Sequence, residues 1–122
     1  MPMRGLTILV ATADGERFHA ALTFAAASAA AGADTRLHLH GSAVTLLVPP
    51  MTMTNDAQFA ASGLPTLAQL FDEALGLGVA VSACQSGLAL SGISAETFDP
   101  RVTMDGPVGV LLGRAEDRLL SF

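Results

Sequence analysis

The feature that most restricts the fold is a repeated alternation in which short, almost wholly apolar runs of strand length are each followed by a turn and then by helical composition. The first run is Leu6-Thr7-Ile8-Leu9-Val10-Ala11. Its lack of polar alternation predicts a strand covered on both faces. Thr12-Ala13-Asp14-Gly15 turns the chain, and Glu16 to about Ala31 is a stretch of strong helix formers with Gly32 just past its end. That helix is apolar nearly all round, which predicts burial on more than its sheet side. Thr35-Arg36-Leu37-His38-Leu39-His40 alternates polar with apolar, as a second strand does, and Gly41 ends it.

The alternation continues along the chain. Ser42 to Leu47 has the makings of one helical turn, stopped by Val48-Pro49-Pro50. Met51 to Gly63 lacks clean periodicity and is expected to be a loop with at most a short helix, either an irregular connection or a lid or interface arm. Pro65-Thr66 opens a helix to about Leu75, with Leu67, Leu70, Phe71, Ala74 and Leu75 on one face. Gly76 and Gly78 lead into Val79-Ala80-Val81, a buried strand, after which come Cys84, Gln85-Ser86 and a short helical stretch closed by Gly92. Ser94 is placed to cap a turn through Phe98, Val102-Thr103-Met104 is a short strand, and Gly106-Pro107 starts a helix from Val108 to about Glu116. Arg118 to Phe122 is the final strand. This order predicts an α/β fold with three layers, helices on both faces of a mostly parallel five-stranded sheet.

Composition narrows the function. The 122 residues correspond to one domain, 1–122, with a core large enough to fold without disulfide or metal. Hydrophobic residues make up 51% and charged residues 14%, against about 25% in ordinary domains, and mean hydropathy is +0.51. Apolar surface is therefore expected, with subunit contacts to cover it. A single cysteine forms no intrachain disulfide, so no oxidising compartment is implied. The net charge of −5, with six arginines, no lysine, no tryptophan and no tyrosine, excludes a nucleic-acid surface, and the missing lysine removes Schiff-base and P-loop chemistry. The longest apolar stretch, around Ala20 to Ala33, is interrupted by Thr23, Ser28 and Gly32, so no membrane span is expected. Leu6 to Ala13, preceded by Arg4, has an apolar run too short for a signal peptide and reads as the first strand.

Among residues that carry chemistry, Cys84 ranks first. Chemistry in open α/β sheets gathers at the carboxyl ends of strands, where helix N-termini present free N–H groups that favour a thiolate. The alternative is a free cysteine acting as a small buried hydrophobe. His38 and His40 share one strand face, but no second cysteine or clustered carboxylate completes a metal site, so they read as structural or solvent-facing. His40 still approaches Cys84 if the two strands are neighbours. His19 reads as an ordinary helix residue. Asp14-Gly15-Glu16-Arg17 ends the first strand, and turn and helix-start chemistry accounts for it. Gly87 to Gly92 has phosphate-loop spacing without the Lys and Ser/Thr, and Gly76-Leu77-Gly78 precedes a strand rather than following one.

With these residues in view the chain resembles the DsrE/DsrF-like family of small sulfur-relay proteins. The features that match are Gly78-Val79-Ala80-Val81 leading to Ala83-Cys84, then Leu88, Gly92-Ile93 and a terminal strand after Glu116-Asp117-Arg118. In the first half they are a strand, an Ala-rich helix from Glu16 to Gly32, and a strand running into Gly41 and Val44. The resemblance implies a cytoplasmic homotrimer or hexamer whose cysteine accepts sulfane sulfur as a persulfide from a protein donor and passes it to a protein acceptor. Cys84 matches the family's active cysteine.

The expected site is Cys84 as the reacting residue with Gln85, Ser86, His40 and Asp14 binding its substrate, with no metal and no organic cofactor. The alternative function is a non-catalytic oligomeric binding or regulatory module of the same fold, with Cys84 buried and inert. A peroxidatic role ranks lower, because Val81 stands where such enzymes place a threonine.

Overall fold

Five strands form one sheet: β1 (Leu6–Val10), β2 (Thr35–Leu39), β3 (Ala80–Cys84), β4 (Thr103–Asp105) and β5 (Arg118–Ser121). Their order is β4-β3-β2-β1-β5, and every adjacent pair is parallel. The helices are α1 (Gly15–Ala30), α2 (Asp56–Ala61), α3 (Leu67–Gly76), α4 (Gln85–Ser91) and α5 (Pro107–Gly113), with 3-10 segments at Gly41–Leu47 and Ala95–Thr97. The structure is a computed structural model and describes residues 3–122. The sheet expected from the sequence is present, and wholly rather than mostly parallel.

Side chains alternate across a strand, and the two faces of this sheet differ sharply. Ile8, Val10, Leu37, Leu39, Val81 and Ala83 form one core with Phe18, Leu22 and Ala25 of α1 and Leu67, Leu70, Phe71 and Ala74 of α3. The rings of Phe18 and Phe71 stand 6.3 Å apart, which joins the two helices through aromatic packing. Burying side chains of this size contributes about 1.5–3 kcal/mol each. The opposite face carries Thr7, Arg36, His38, Ser82, Cys84, Thr103 and Asp105 by the same alternation. It is covered by α5, where Arg36 Nη2 donates to the Val110 carbonyl at 2.8 Å. Thr7, in the apolar run, is buried there by donating to Asp117 Oδ2 at 2.8 Å and accepting from Arg36 Nη2 at 3.1 Å.

Caps and turn residues set the element ends. The Asp14 carboxylate accepts the Arg17 N–H at 3.1 Å to start α1. Thr66 and Gln69 form a reciprocal capping box at the start of α3. Two details differ from the expectation. The last helix stops at Gly113 rather than near Glu116, because Arg114 leaves helical geometry at φ −143° directly after a glycine. Ser94 makes no backbone cap, since its hydroxyl donates to the Glu96 carboxylate instead. The 51–63 segment is a loop with a short helix, as expected; that helix is α2, whose Asp56 carboxylate accepts the N–H groups of Met53 at 3.0 Å and Leu67 at 2.9 Å, tying the segment to α3. None of the described helices is long and apolar enough to cross a membrane.

Candidate functional site

The parallel register of β2 and β3 assembles the site. Leu39 is level with Ala83 and His38 with Ser82, so the next residues along, His40 and Cys84, come side by side at the carboxyl edge of the sheet. Cys84 ends β3 and is also the N-cap of α4, with extended backbone angles of −73° and 126°. From there α4 docks on the Gly41–Leu47 segment. That contact requires a glycine: a Cβ on Gly87 would lie 2.5 Å from the Gly41 carbonyl oxygen and 2.9 Å from Val44 Cγ1. Gly92, at φ +66°, ends the helix in left-handed geometry.

The Cys84 thiol is only 1% exposed. Burial pushes its pKa up, as loss of hydration does for any group that ionises to an anion. Donors outweigh that effect: the Ser86 hydroxyl, with Oγ 2.9 Å from Sγ, the backbone N–H groups of Gly87 and Ser86, and the His40 ring together bring it down to about 7. The sulfur therefore sits in a pocket of donors that stabilises its thiolate.

His38 lies beside this pocket. Its Nδ1 is 2.7 Å from Ser82 Oγ, and its Nε2 is buried without a hydrogen-bond partner. Burial lowers the His38 pKa; Asp105 opposes the shift, while His40 and Arg36 add to it. One donor atom each from His38, His40 and Cys84 lies within 4.8 Å of the other two. His38 and His40 also line a largely apolar cavity of about 320 Å³ beneath Pro107, Val110 and Leu111.

Of the residues singled out from the sequence, Cys84, Ser86 and His40 converge. Gln85 is exposed at the first position of α4. Asp14 caps α1 and lines a different cavity of about 790 Å³ with Glu16, Met53 and Asn55, a cavity that includes none of the residues around the thiol. His19, read from the sequence as an ordinary helix residue, lies in α1 with its ring 3.0 Å from the Pro65 carbonyl and packed edge-on against Phe59. Sequence reasoning did not bring His38 and Ser82 to the thiol. The available signal was the two-residue spacing of Ser82 with Cys84 and of His38 with His40, which aligns all four only once the strand register is known.

A parallel sheet with a donor-surrounded thiol at its carboxyl edge defines a class of small α/β thiol proteins. Within that class the chain belongs to the DsrE/DsrF-like family, whose model matches residues 5–117. No curated protein matches it. Among solved structures it is similar to the ychN protein from E. coli, at 20% identity and a TM-score of 0.78 over 98% of this chain and 100% of that one. It is also similar to a conserved protein of unknown function from Bacteroides thetaiotaomicron, at 24% identity and 0.66 over 98% and 95%. A third likeness is to a protein of unknown function from Methanobacterium thermoautotrophicum, at 15% and 0.69 over 98% and 100%. At these identities the structures support the fold.

Proposed function

We propose that this chain, as a single domain spanning 1–122, is a cytoplasmic sulfur-relay protein that carries sulfane sulfur as a persulfide on Cys84. Family membership supports the sulfur-relay class, and the observation that supports Cys84 is its thiol at the end of β3, ringed by the donors of Ser86, Gly87 and His40. The Cys84 thiolate attacks the outer sulfur of a donor persulfide. A bond forms between Sγ and that sulfur as the donor's S–S bond breaks, and the donor departs as a thiolate. Oxidation levels are exchanged between the two proteins, so no external oxidant is required. Transfer onward repeats the step, with an acceptor thiolate attacking the outer sulfur and Cys84 leaving. Ser86 and His40 serve by stabilising the anion before attack and after departure, and exposed Gln85 contacts the donor or acceptor at the mouth of the site. Asp14, on its own cavity, is proposed as a second contact for a protein partner.

The assembly proposed is a homotrimer or hexamer. The support is apolar surface concentrated on α4, α5 and β5, where Leu90 is 78% exposed, Leu112 74% and Val108 70%.

Intact-mass measurement of the chelator-treated, reduced protein after exposure to a low-molecular-weight persulfide tests the function. The expected result is a gain of one sulfur atom, reversed by excess thiol and absent in Cys84→Ala. A second reading, an oligomeric binding module with an inert cysteine, is favoured by the 1% exposure of Cys84. No mass gain, together with a thiol inert to alkylation at neutral pH, establishes that reading instead.

A further inference from the structure

The sulfur-relay reading uses Cys84 and leaves His38 unexplained. His38 is only 3% exposed, yet its Nε2 has no hydrogen-bond partner, and buried polar atoms in folded proteins are nearly always paired. From the geometry of this cluster we infer that His38, His40 and Cys84 form a three-ligand site for a thiolate- and imidazole-binding d10 cation such as Zn2+, with the fourth position open to the adjoining cavity.

Four observations carry this. The donor set is two imidazoles and one thiolate, a combination that suits Zn2+ and leaves a tetrahedral ion one position for water or an exogenous ligand. The donors lie within 4.8 Å of one another and come from adjacent parallel strands, which fixes their backbones. Ligands bound at ~2.0–2.3 Å to a tetrahedral ion stand roughly 3.5 Å apart, so closure requires about an ångström of side-chain movement, for which the exposed His40 ring has room. Finally, Ser82 Oγ sits 2.7 Å from His38 Nδ1. A zinc-binding histidine ordinarily donates its other ring N–H to an oxygen, which fixes the tautomer and leaves the remaining nitrogen's lone pair for the metal. Nδ1–H donating to Ser82 gives His38 that arrangement, with the unpartnered Nε2 as ligand.

The open position lies towards the 320 Å³ cavity, whose walls of Leu9, Ala11, Val110 and Leu111 admit a small, largely apolar ligand. Cation binding displaces the Cys84 proton to solvent and engages the sulfur. A zinc-loaded site therefore leaves no free Sγ to attack a donor persulfide.

Cobalt titration of the full-length, chelator-stripped and reduced protein tests the site. The expected result is saturation at one equivalent, with near-ultraviolet thiolate-to-cobalt charge transfer, strong visible bands of four-coordinate cobalt, and stoichiometric displacement by Zn2+. Cys84→Ser removes the charge-transfer band, His38→Gln and His40→Gln each weaken binding at least tenfold, and Ser82→Ala weakens it by about 10–100-fold. In the unaltered protein, one equivalent of Zn2+ protects Cys84 from alkylation. Absence of the charge-transfer band or of zinc protection in the unaltered protein overturns the inference, and so does unchanged affinity in a folded His38→Gln variant. Sulfur loading is measured with chelator present, so its failure and the failure of metal binding are read separately.

Discussion

At the scale of the residue, the proposed sulfur chemistry depends on how Cys84 is held as an anion inside the protein. Burial alone raises a thiol pKa, and the opposite net shift here depends on the donors around Sγ, first among them the Ser86 hydroxyl, then the Gly87 and Ser86 N–H groups and the His40 ring. Alkylation of the metal-free protein is therefore expected to rise with pH around a midpoint of about 7. Ser86→Ala moves that midpoint upward by about one unit, the size expected for one lost hydrogen bond to a charged group. An unchanged midpoint in the folded variant would assign the thiolate's stabilisation to the backbone N–H groups instead. Stability is linked to the same shift. The folded pKa is depressed, so the thiolate's contribution is fully present above the unfolded thiol's value and is lost as pH falls through about 7. Chemical denaturation of the metal-free protein should show stability increasing across this window by up to roughly 2 kcal/mol, with the increase absent in Cys84→Ala.

At the scale of the element, the site depends on α4 lying close against the Gly41–Leu47 segment. A methyl group at position 87 meets backbone 2.5 Å away, so α4 must move off for it to fit. Gly87→Ala is expected to lower stability by ~1–3 kcal/mol in denaturant titration. It also slows alkylation at neutral pH, because the Gly87 N–H is one of the donors to Sγ. At the far end of the connection, Thr66→Ala removes half of a capping box and should cost about 1 kcal/mol without altering alkylation. The elements themselves were largely legible. The β1 run, the Thr66 start of α3, the Pro107 start of α5 and Cys84 at the end of β3 all follow from local composition. The sequence was less informative where local signals conflict: in 51–63 small polar residues allowed a short helix without fixing its bounds, and at Gly113 apolar residues up to the glycine suggested a longer helix. Strand order and register were not legible, because which strand lies beside β2 is decided by packing of α1 and α3 far along the chain. For that reason Cys84 was found from the sequence while its alignment with His38 and Ser82 was not.

At the scale of the whole molecule, the two faces of the sheet are covered unequally. One packs against the long α1 and the well-capped α3, while the other carries the polar residues, with Arg36 and His38 beneath the seven-residue α5. The outer surface of α5 is apolar: Val108, Leu111 and Leu112 are 70%, 54% and 74% exposed, and Leu119 of β5 is 53% exposed. Leu111 also lines the cavity beside His38 and His40, so in the proposed oligomer a neighbour seated on α5 would narrow that cavity next to the residues around the thiol. Leu112→Asp places a charge on this surface without entering the core, and is expected to shift the protein from oligomer to monomer in sedimentation velocity while leaving its circular dichroism intact. In that monomer Cys84 should alkylate faster at every pH with an unchanged midpoint, because access changes while the donors around Sγ do not. A variant that stays oligomeric, or a monomer whose alkylation rate is unaltered, would separate the apolar surface from the site. Equal midpoints with unequal rates would show instead that assembly controls access to the thiol and that the local donors control its ionisation.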